Sequence, residues 1–324
     1  MPKAIVIEKP GAASVMKFQE VKVGKPKKGE ARIRQTAVGL NYIDVYQRTG
    51  LYPWPLPSVV GLEGAGVVEE IGKGVKEVKV GDRVAYAARP AGAYAEERCM
   101  PSDQLVKIPE GISDQTAAAM MLQGMTVEYL IMRTFKVKKG MTVLWHAAAG
   151  GVGLIAGQWL KSLGVTTIGT AGGPAKVKLA KEHGFDHVID YTKKDFVKEV
   201  MRITKKQGVP VVYDSVGKDT WEGSLQCLQP RGTMVSFGNA SGAVEPFAPN
   251  ILSTMGSLYV TRPTLMTYNA TRPELVKSAN ALFKVVKSGA VKINIGQTFP
   301  LKDAAKAHRA LEGRKTTGST VLIP

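Results

Sequence analysis

The segment from Gly140 to Gly153 constrains this chain more than any other. A β-branched and apolar run, Thr142 to Trp145, enters a turn of small residues, and Leu154 to Leu163 then continues at helical period. A strand, a tight glycine turn and a helix in that order leave a helix N-terminus open to a pyrophosphate. Gly150 lets the backbone approach the phosphates, and Gly153 lets the helix pack closely on its strand, with Gly151 and Val152 completing the first turn. The first glycine of the usual G-x-G-x-x-G is Ala148 here, a departure that a turn near αR geometry tolerates. A lone glycine motif is weak evidence, so its surroundings decide.

Those surroundings alternate strand and helix. Strands are predicted at Val165 to Thr170, His187 to Ile189, Val209 to Asp214, Thr233 to Phe237 and Ser257 to Val260. Helices are predicted at Pro174 to Glu182, with proline in the first turn, at Asp195 to Ile203 and at Asp219 to Leu228. This alternation implies an α/β, doubly wound parallel sheet of the Rossmann type, with the glycine turn after its first strand. An NAD site usually ends the second strand on an acidic residue that holds the ribose 2′-hydroxyl. Here the strand runs into Gly172-Gly173, and no acidic residue lies between Gly150 and Lys181. Lys176 follows on the next helix and offers a point charge to a 2′-phosphate. NADPH is therefore the expected cofactor.

The first 120 or so residues have another character. Lys3 to Glu8, Met16 to Val21, Ala31 to Leu40, Gly64 to Ile71 and Asp82 to Ala87 alternate like strands between glycine and lysine turns. The tail from about Pro263 returns with helices at Pro273 to Ser288 and Leu301 to Glu312, and with strands near Gln297 to Phe299 and Ser319 to Ile323. The expected division is residues 1–123 plus 263–324 in a β domain, with 124–262 forming the dinucleotide fold and a cleft between them. Cys99 and Cys227 lie far apart and form no CxxC pair, so a disulfide framework or zinc ribbon is unsupported and ordinary packing is expected of them. No signal-peptide core and no membrane span are read, and the expected location is the cytoplasm. Against 27 acidic residues stand 44 Lys and Arg, a net charge of +17. The lysines come in small scattered groups without interleaved aromatics, so RNA binding is possible but not favoured.

Gly61-Leu62-Glu63-Gly64-Ala65-Gly66, followed by Gly72, Val75 and Gly81-Asp82-Arg83-Val84, resembles the signature of the medium-chain dehydrogenase/reductase superfamily. Gly140 through Lys161, with Gln158 after Gly150-Gly151-Val152-Gly153, resembles its quinone oxidoreductase and zeta-crystallin branch, as do Val211 to Gly217 and Ser236 to Asn239. The resemblance spans essentially the whole chain. It implies a GroES-like irregular β-barrel domain around the Rossmann domain, NADPH-dependent reduction of quinones, and a homodimer joined at the edge strand of the sheet. By resemblance, Asn41 and Tyr46 approach the nicotinamide, Tyr46 and Tyr52 face the acceptor, Thr126 and Asn239 lie on the nicotinamide side, and Phe237 is a further cofactor contact. Lys176, Tyr191 and Arg314 resemble the grip on the adenosine 2′-phosphate. Gly172 and Gly173 stand where family members often carry a serine or threonine.

In the zinc-dependent branch a Cys occupies the position of Asn41, a His that of Leu62 and another Cys that of Gln123. Leucine cannot ligate, and amides are poor zinc ligands beside thiolate and imidazole. The expectation is no metal, so that catalysis rests on holding the acceptor against the cofactor. A double-bond reductase acting on alkenals or enones is the nearest alternative, and an RNA-binding protein like zeta-crystallin relatives is the other.

Overall fold

Six strands of the middle of the chain pair in parallel in the order His187–Asp190, Thr166–Ala171, Thr142–Trp145, Val209–Asp214, Leu228–Ser236 and Tyr259–Thr261. Parallel strands need crossovers, and the helices Gly151–Ser162, Pro174–Glu182, Phe196–Ile203 and Trp221–Gln226 supply them. Helices on both faces bury the central strand on both sides: Val211, Val212 and Tyr213 have no exposed surface. The strand order reverses between Thr142–Trp145 and Val209–Asp214, and ligands bind at the carboxyl ends of strands at such a reversal. In this computed structural model, which describes residues 1–324, the sheet belongs to a unit made of residues 126–268 and 288–292.

The second unit comprises residues 1–125, 269–287 and 293–324. Its larger sheet is organised by the eleven-residue strand Glu30–Leu40, which pairs antiparallel with Glu63–Ile71, Glu97–Pro101 and Ser319–Ile323. Register shifts near Ile33 and Ala37 break its alternation and make the sheet irregular. A smaller sheet joins Lys17–Glu20, Lys3–Ile7 and Ser58–Val59. Between them lies a core that includes Ile5, Ile33, Val38, Leu40, Tyr86, Met100 and Leu322. No helix of the protein is long and apolar enough to cross a membrane.

The differences from the sequence expectations are local. The sixth Rossmann strand starts at Tyr259, two residues later than expected, because Ser257 takes a left-handed φ of 58° that ends extended pairing. The final helix begins as a 3-10 turn, Leu301–Asp303, before Ala304–Glu312. A helix not read from the sequence, Tyr42–Thr49, follows Asn41 and is stopped by Gly50 at φ 85°.

Candidate active site

Gly150 caps the Gly151–Ser162 helix with φ −78° and ψ 168°, an extended geometry open to any residue. The first helical bond runs from the Leu154 amide to the Gly150 carbonyl. The amides of Gly151, Val152 and Gly153 therefore have no acceptor within the helix and stand at its positive end. Gly153 is fixed by packing: a Cβ there would lie 2.5 Å from the Ala147 carbonyl oxygen and 2.6 Å from that of Ala148. The close approach is thus to the turn itself. The departure from a glycine at the start of the motif is absorbed one residue earlier than expected, where Ala147 takes a left-handed φ of 54°.

Twenty residues on, Gly172-Gly173 turns the second strand into the Pro174–Glu182 helix. A Cβ on Gly172 would lie 2.6 Å from the Tyr191 hydroxyl, so a side chain there would have to displace the exposed end of Tyr191. Tyr191 is 45% exposed and covers this turn. Lys176, in the first turn of the helix, is half-buried. Asp190, which sequence reasoning missed, organises the turn: its Oδ1 accepts from the Gly173 amide at 2.9 Å and from the Thr192 amide and hydroxyl at 3.1 and 2.7 Å. The Gly173 amide, helped by Thr192, holds this carboxyl below the usual range. Only its place at the end of the third strand, before Tyr191, could have pointed to it.

Beneath the glycine turn a buried polar network ties three strands together. The Ser224 hydroxyl donates to Asp214 Oδ2 at 3.0 Å, so the His146 Nε2–H must donate to Ser224 Oγ, also at 3.0 Å. His146 Nδ1 then accepts from the Thr170 hydroxyl at 2.9 Å. This is the neutral imidazole, and burial pushes its pKa below the ordinary value. Asp214 Oδ1 accepts the amides of Val216 and Gly217, and Phe237 N donates to the Asp214 carbonyl. The Phe237 ring lies 5.7 Å from that of Trp145, and Asn239 lies against Gly217. This unit therefore assembles Gly150 to Gly153, Gly172, Gly173, Lys176, Tyr191, Phe237 and Asn239 at the carboxyl ends of its strands.

In the other unit, Asn41 caps the Tyr42–Thr49 helix, and its backbone N–H donates to Asp44 Oδ2 at 2.9 Å. Its side chain is buried in a chain of polar groups. Asn41 Nδ2 donates to Glu63 Oε2 at 2.7 Å, Gln123 Nε2 donates to Asn41 Oδ1 at 3.1 Å, and Ser319 Oγ contacts Gln123 Oε1 at 2.8 Å. Burial raises the Glu63 carboxyl to about 8 and that of Asp44 to about 7, with hydrogen bonds opposing. Tyr46 and Tyr52 are brought together, ring centroids 5.0 Å apart, and Tyr42 lies 5.9 Å from Tyr46. Thr126 is buried on the Met121–Tyr129 helix, which carries Gln123 in this unit and passes into the Rossmann unit at Thr126 itself. Arg314 is exposed beyond the Ala304–Glu312 helix with a left-handed φ of 56°. Glu63 and Ser319 were not expected to take part.

The chain matches the family described as zinc-binding dehydrogenase over residues 151–283 and the alcohol dehydrogenase GroES-like domain over residues 27–110. A quinone oxidoreductase of Pseudomonas aeruginosa is 50% identical to it over 325 residues, with all of both chains covered. The crystal structure of Escherichia coli quinone oxidoreductase complexed with NADPH has a TM-score of 0.98 at 48% identity, covering 99% of this chain and 100% of that one. A 2-haloacrylate reductase of a Burkholderia species is 45% identical over 332 residues, covering 100% of this chain and 99% of its own length.

The zinc in the first family description can be tested against the donors present. At the three positions, Asn41 and Gln123 are bonded to each other and Leu62 is an apolar core residue with no exposed surface. No group of three or more His, Cys, Asp or Glu is arranged to hold a metal ion. These residues do not fit zinc.

Proposed function

Because the chain belongs to the quinone oxidoreductase branch of the medium-chain dehydrogenase/reductase superfamily, we propose that it is an NADPH-dependent quinone reductase that works without a metal. One observation carries the cofactor assignment. Three helix-start amides stand at the Gly150–Gly153 turn, and the second strand ends in two glycines followed by Lys176 where NAD sites carry a carboxylate. NADPH supplies the hydride, and with one proton from water this reduces a quinone to its hydroquinone. The amides of Gly151 to Gly153 bind the pyrophosphate, and Lys176, Tyr191 and Arg314 hold the 2′-phosphate. Thr126, Phe237 and Asn239 line the nicotinamide side. Asn41, Tyr46 and Tyr52 orient the acceptor, and the tyrosine rings exclude water from it. In this reading residues 1–123 with 263–324 form the catalytic domain and 124–262 the cofactor domain.

The 45% identity to a 2-haloacrylate reductase supports a second acceptor class, activated carbon–carbon double bonds. NADPH oxidation assayed with a para-quinone and with an α,β-unsaturated ketone separates the two. A kcat/KM higher for the quinone upholds the proposal, and the reverse order overturns it. We further assign a cytoplasmic homodimer, supported by the exposed edge strand Tyr259–Thr261, whose Tyr259 is 61% exposed.

A further inference from the structure

Five polar groups stand in a row in one unit: the Glu63 carboxyl, the Asn41 amide, the Gln123 amide, the Ser319 hydroxyl and the Ala119 carbonyl. The four side chains are all at least nine-tenths buried, so each polarity must be matched by its neighbour. An amide fits the same space in either of two orientations, and only its partners decide between them. Ser319 Oγ lies 2.9 Å from the Ala119 carbonyl and 2.8 Å from the Gln123 side chain, and it has one hydrogen to give.

Two arrangements satisfy the row. With Glu63 ionised, Asn41 donates to Glu63, Gln123 donates to Asn41, and Ser319 donates to Gln123. With Glu63 protonated, every bond reverses: Glu63 donates to the Asn41 carbonyl, Asn41 donates to Gln123, Gln123 donates to Ser319, and Ser319 donates to Ala119. The second arrangement gives the Ser319 hydrogen a single acceptor that can never be a donor. In both, the Leu122 amide at 2.8 Å keeps Glu63 Oε1 as an acceptor, so only Oε2 carries the change.

The geometry points to Glu63 as a positioning residue for Asn41: its protonation sets the polarity of the row and thereby which end of the Asn41 amide is presented to the reacting groups. This rests on the assignment of Asn41 to the acceptor and nicotinamide. Burial places the Glu63 titration at about pH 8, within reach of experiment. The other ionisable groups acting on Glu63 are few. Asp44 from the Tyr42–Thr49 helix raises its pKa, and the buried phenols of Tyr86 and Tyr94 interact with it. Arg98 lies against Tyr86, and Arg48 acts on Tyr94.

Glu63→Gln is a direct test. Its Oε1 must stay with the Leu122 amide, so its Nε2 donates to Asn41 and locks the row in the polarity of protonated Glu63. The wild type then shows a step in kcat between about pH 7 and 9. Glu63→Gln shows a flat profile within about twofold of the wild-type acid limit, with NADPH affinity changed less than about twofold. Gln123→Glu drives the same polarity from the other end and moves the step to higher pH, which keeps the test available if Glu63→Gln folds poorly. Of the infrared carbonyl bands of the protonated Glu63 and Asp44 carboxyls, measured without cofactor, the one that titrates with the step is absent in Glu63→Gln. A Glu63→Gln profile parallel to the wild type, or both carboxyl bands retained in the variant, overturns the inference. Asn41→Ala keeps the two questions apart. Unchanged kcat in that variant defeats the Asn41 assignment itself, whereas lowered kcat with an unshifted Glu63→Gln profile defeats only the role of Glu63.

Discussion

Gly150 and Gly153 sit three residues apart in one turn, and the structure gives them opposite duties that alanine substitution separates. A Cβ at Gly153 meets two backbone carbonyl oxygens at 2.5 and 2.6 Å and the Ala148 carbonyl carbon at 2.7 Å. None of these is the end of a flexible side chain. Restoring ordinary contact, from 2.5 to 3.4 Å, moves the helix start by about 0.9 Å, at an overpacking cost of about 1–3 kcal/mol. The reduced freedom of the unfolded chain offsets about 0.4–1 kcal/mol of this. Gly153→Ala is therefore expected to lose about 1–2 kcal/mol and a few degrees in Tm. At Gly150 the nearest atom is 3.3 Å away and the backbone is already extended. Gly150→Ala should therefore leave the stability of the protein without cofactor within about 0.5 kcal/mol. Its methyl group instead obstructs the approach of phosphate oxygens to the helix-start amides. Loss of one charge-assisted hydrogen bond costs about 1.5–3 kcal/mol, about ten- to a hundredfold in NADPH affinity. Thermal melts without cofactor and fluorescence titration with NADPH read the two quantities. A Gly150→Ala variant as unstable as Gly153→Ala, with NADPH affinity intact, would refute the division of duties.

Lys176→Ala and Arg314→Ala should each raise the Michaelis constant for NADPH about ten- to a hundredfold while leaving NADH kinetics nearly unchanged, with the double variant losing less than the sum. Equal losses with both cofactors would make these residues structural. Purified protein should contain no stoichiometric zinc and keep its activity in chelator, and elemental analysis with a chelation assay decides. Tyr259→Glu should convert a dimer to a monomer by light scattering, and a monomeric wild type would contradict the edge-strand assembly. Asp44 and Glu63 hold their protons in the fold to about pH 7 and 8, against ordinary values of 3.8 and 4.5. The unfolded chain releases these protons first, so their contribution to stability is fully present below about pH 4, falls as pH rises to about 8, and is flat above. Asp44→Asn should make the decline of Tm across that window shallower than in the wild type, and an unchanged slope would show that Asp44 does not carry it.

The Rossmann unit was legible because local signals and tertiary demands agree there. Pro174 and the capping Asp195 start helices where the periodicity also starts them, and buried parallel strands read as apolar runs. The Tyr42–Thr49 helix was not read, since Tyr-Ile-Asp-Val-Tyr is rich in β-branched and aromatic residues and only Asn41 and Asp44 mark its start. Glu97–Pro101, a short strand ending in proline, was missed for the same kind of reason. In the site, glycine positions were legible because each imposes a backbone requirement. The partners of Asn41 were not: Gln123 bonds to Ser319 across 196 residues, a pairing with no local trace. Ala147 also gave no warning, because a left-handed alanine is held by its surroundings and not by its own preference.

The Asn41 row shows what replaces a metal at these positions. Three thiolate or imidazole ligands all point acceptor lone pairs at one centre, and a cation is what reconciles them. Asn41 and Gln123 are each donor and acceptor at once, so they satisfy one another in series and need no central charge. A series of amides has a direction, though, and something at its end must fix it. Glu63 stands at one end and Ser319 with the Ala119 carbonyl at the other, and of these only Glu63 changes polarity with a proton. Leu62, the preceding residue in the chain, is fully buried and apolar and brings no competing donor of its own. Substituting Leu62 by a polar residue should therefore blur the titration of Glu63 before it destabilises the sheet. The measurement is the width and midpoint of the kcat step against Tm in Leu62→Gln. A loss of Tm with the step unchanged would mean that Leu62 serves packing alone.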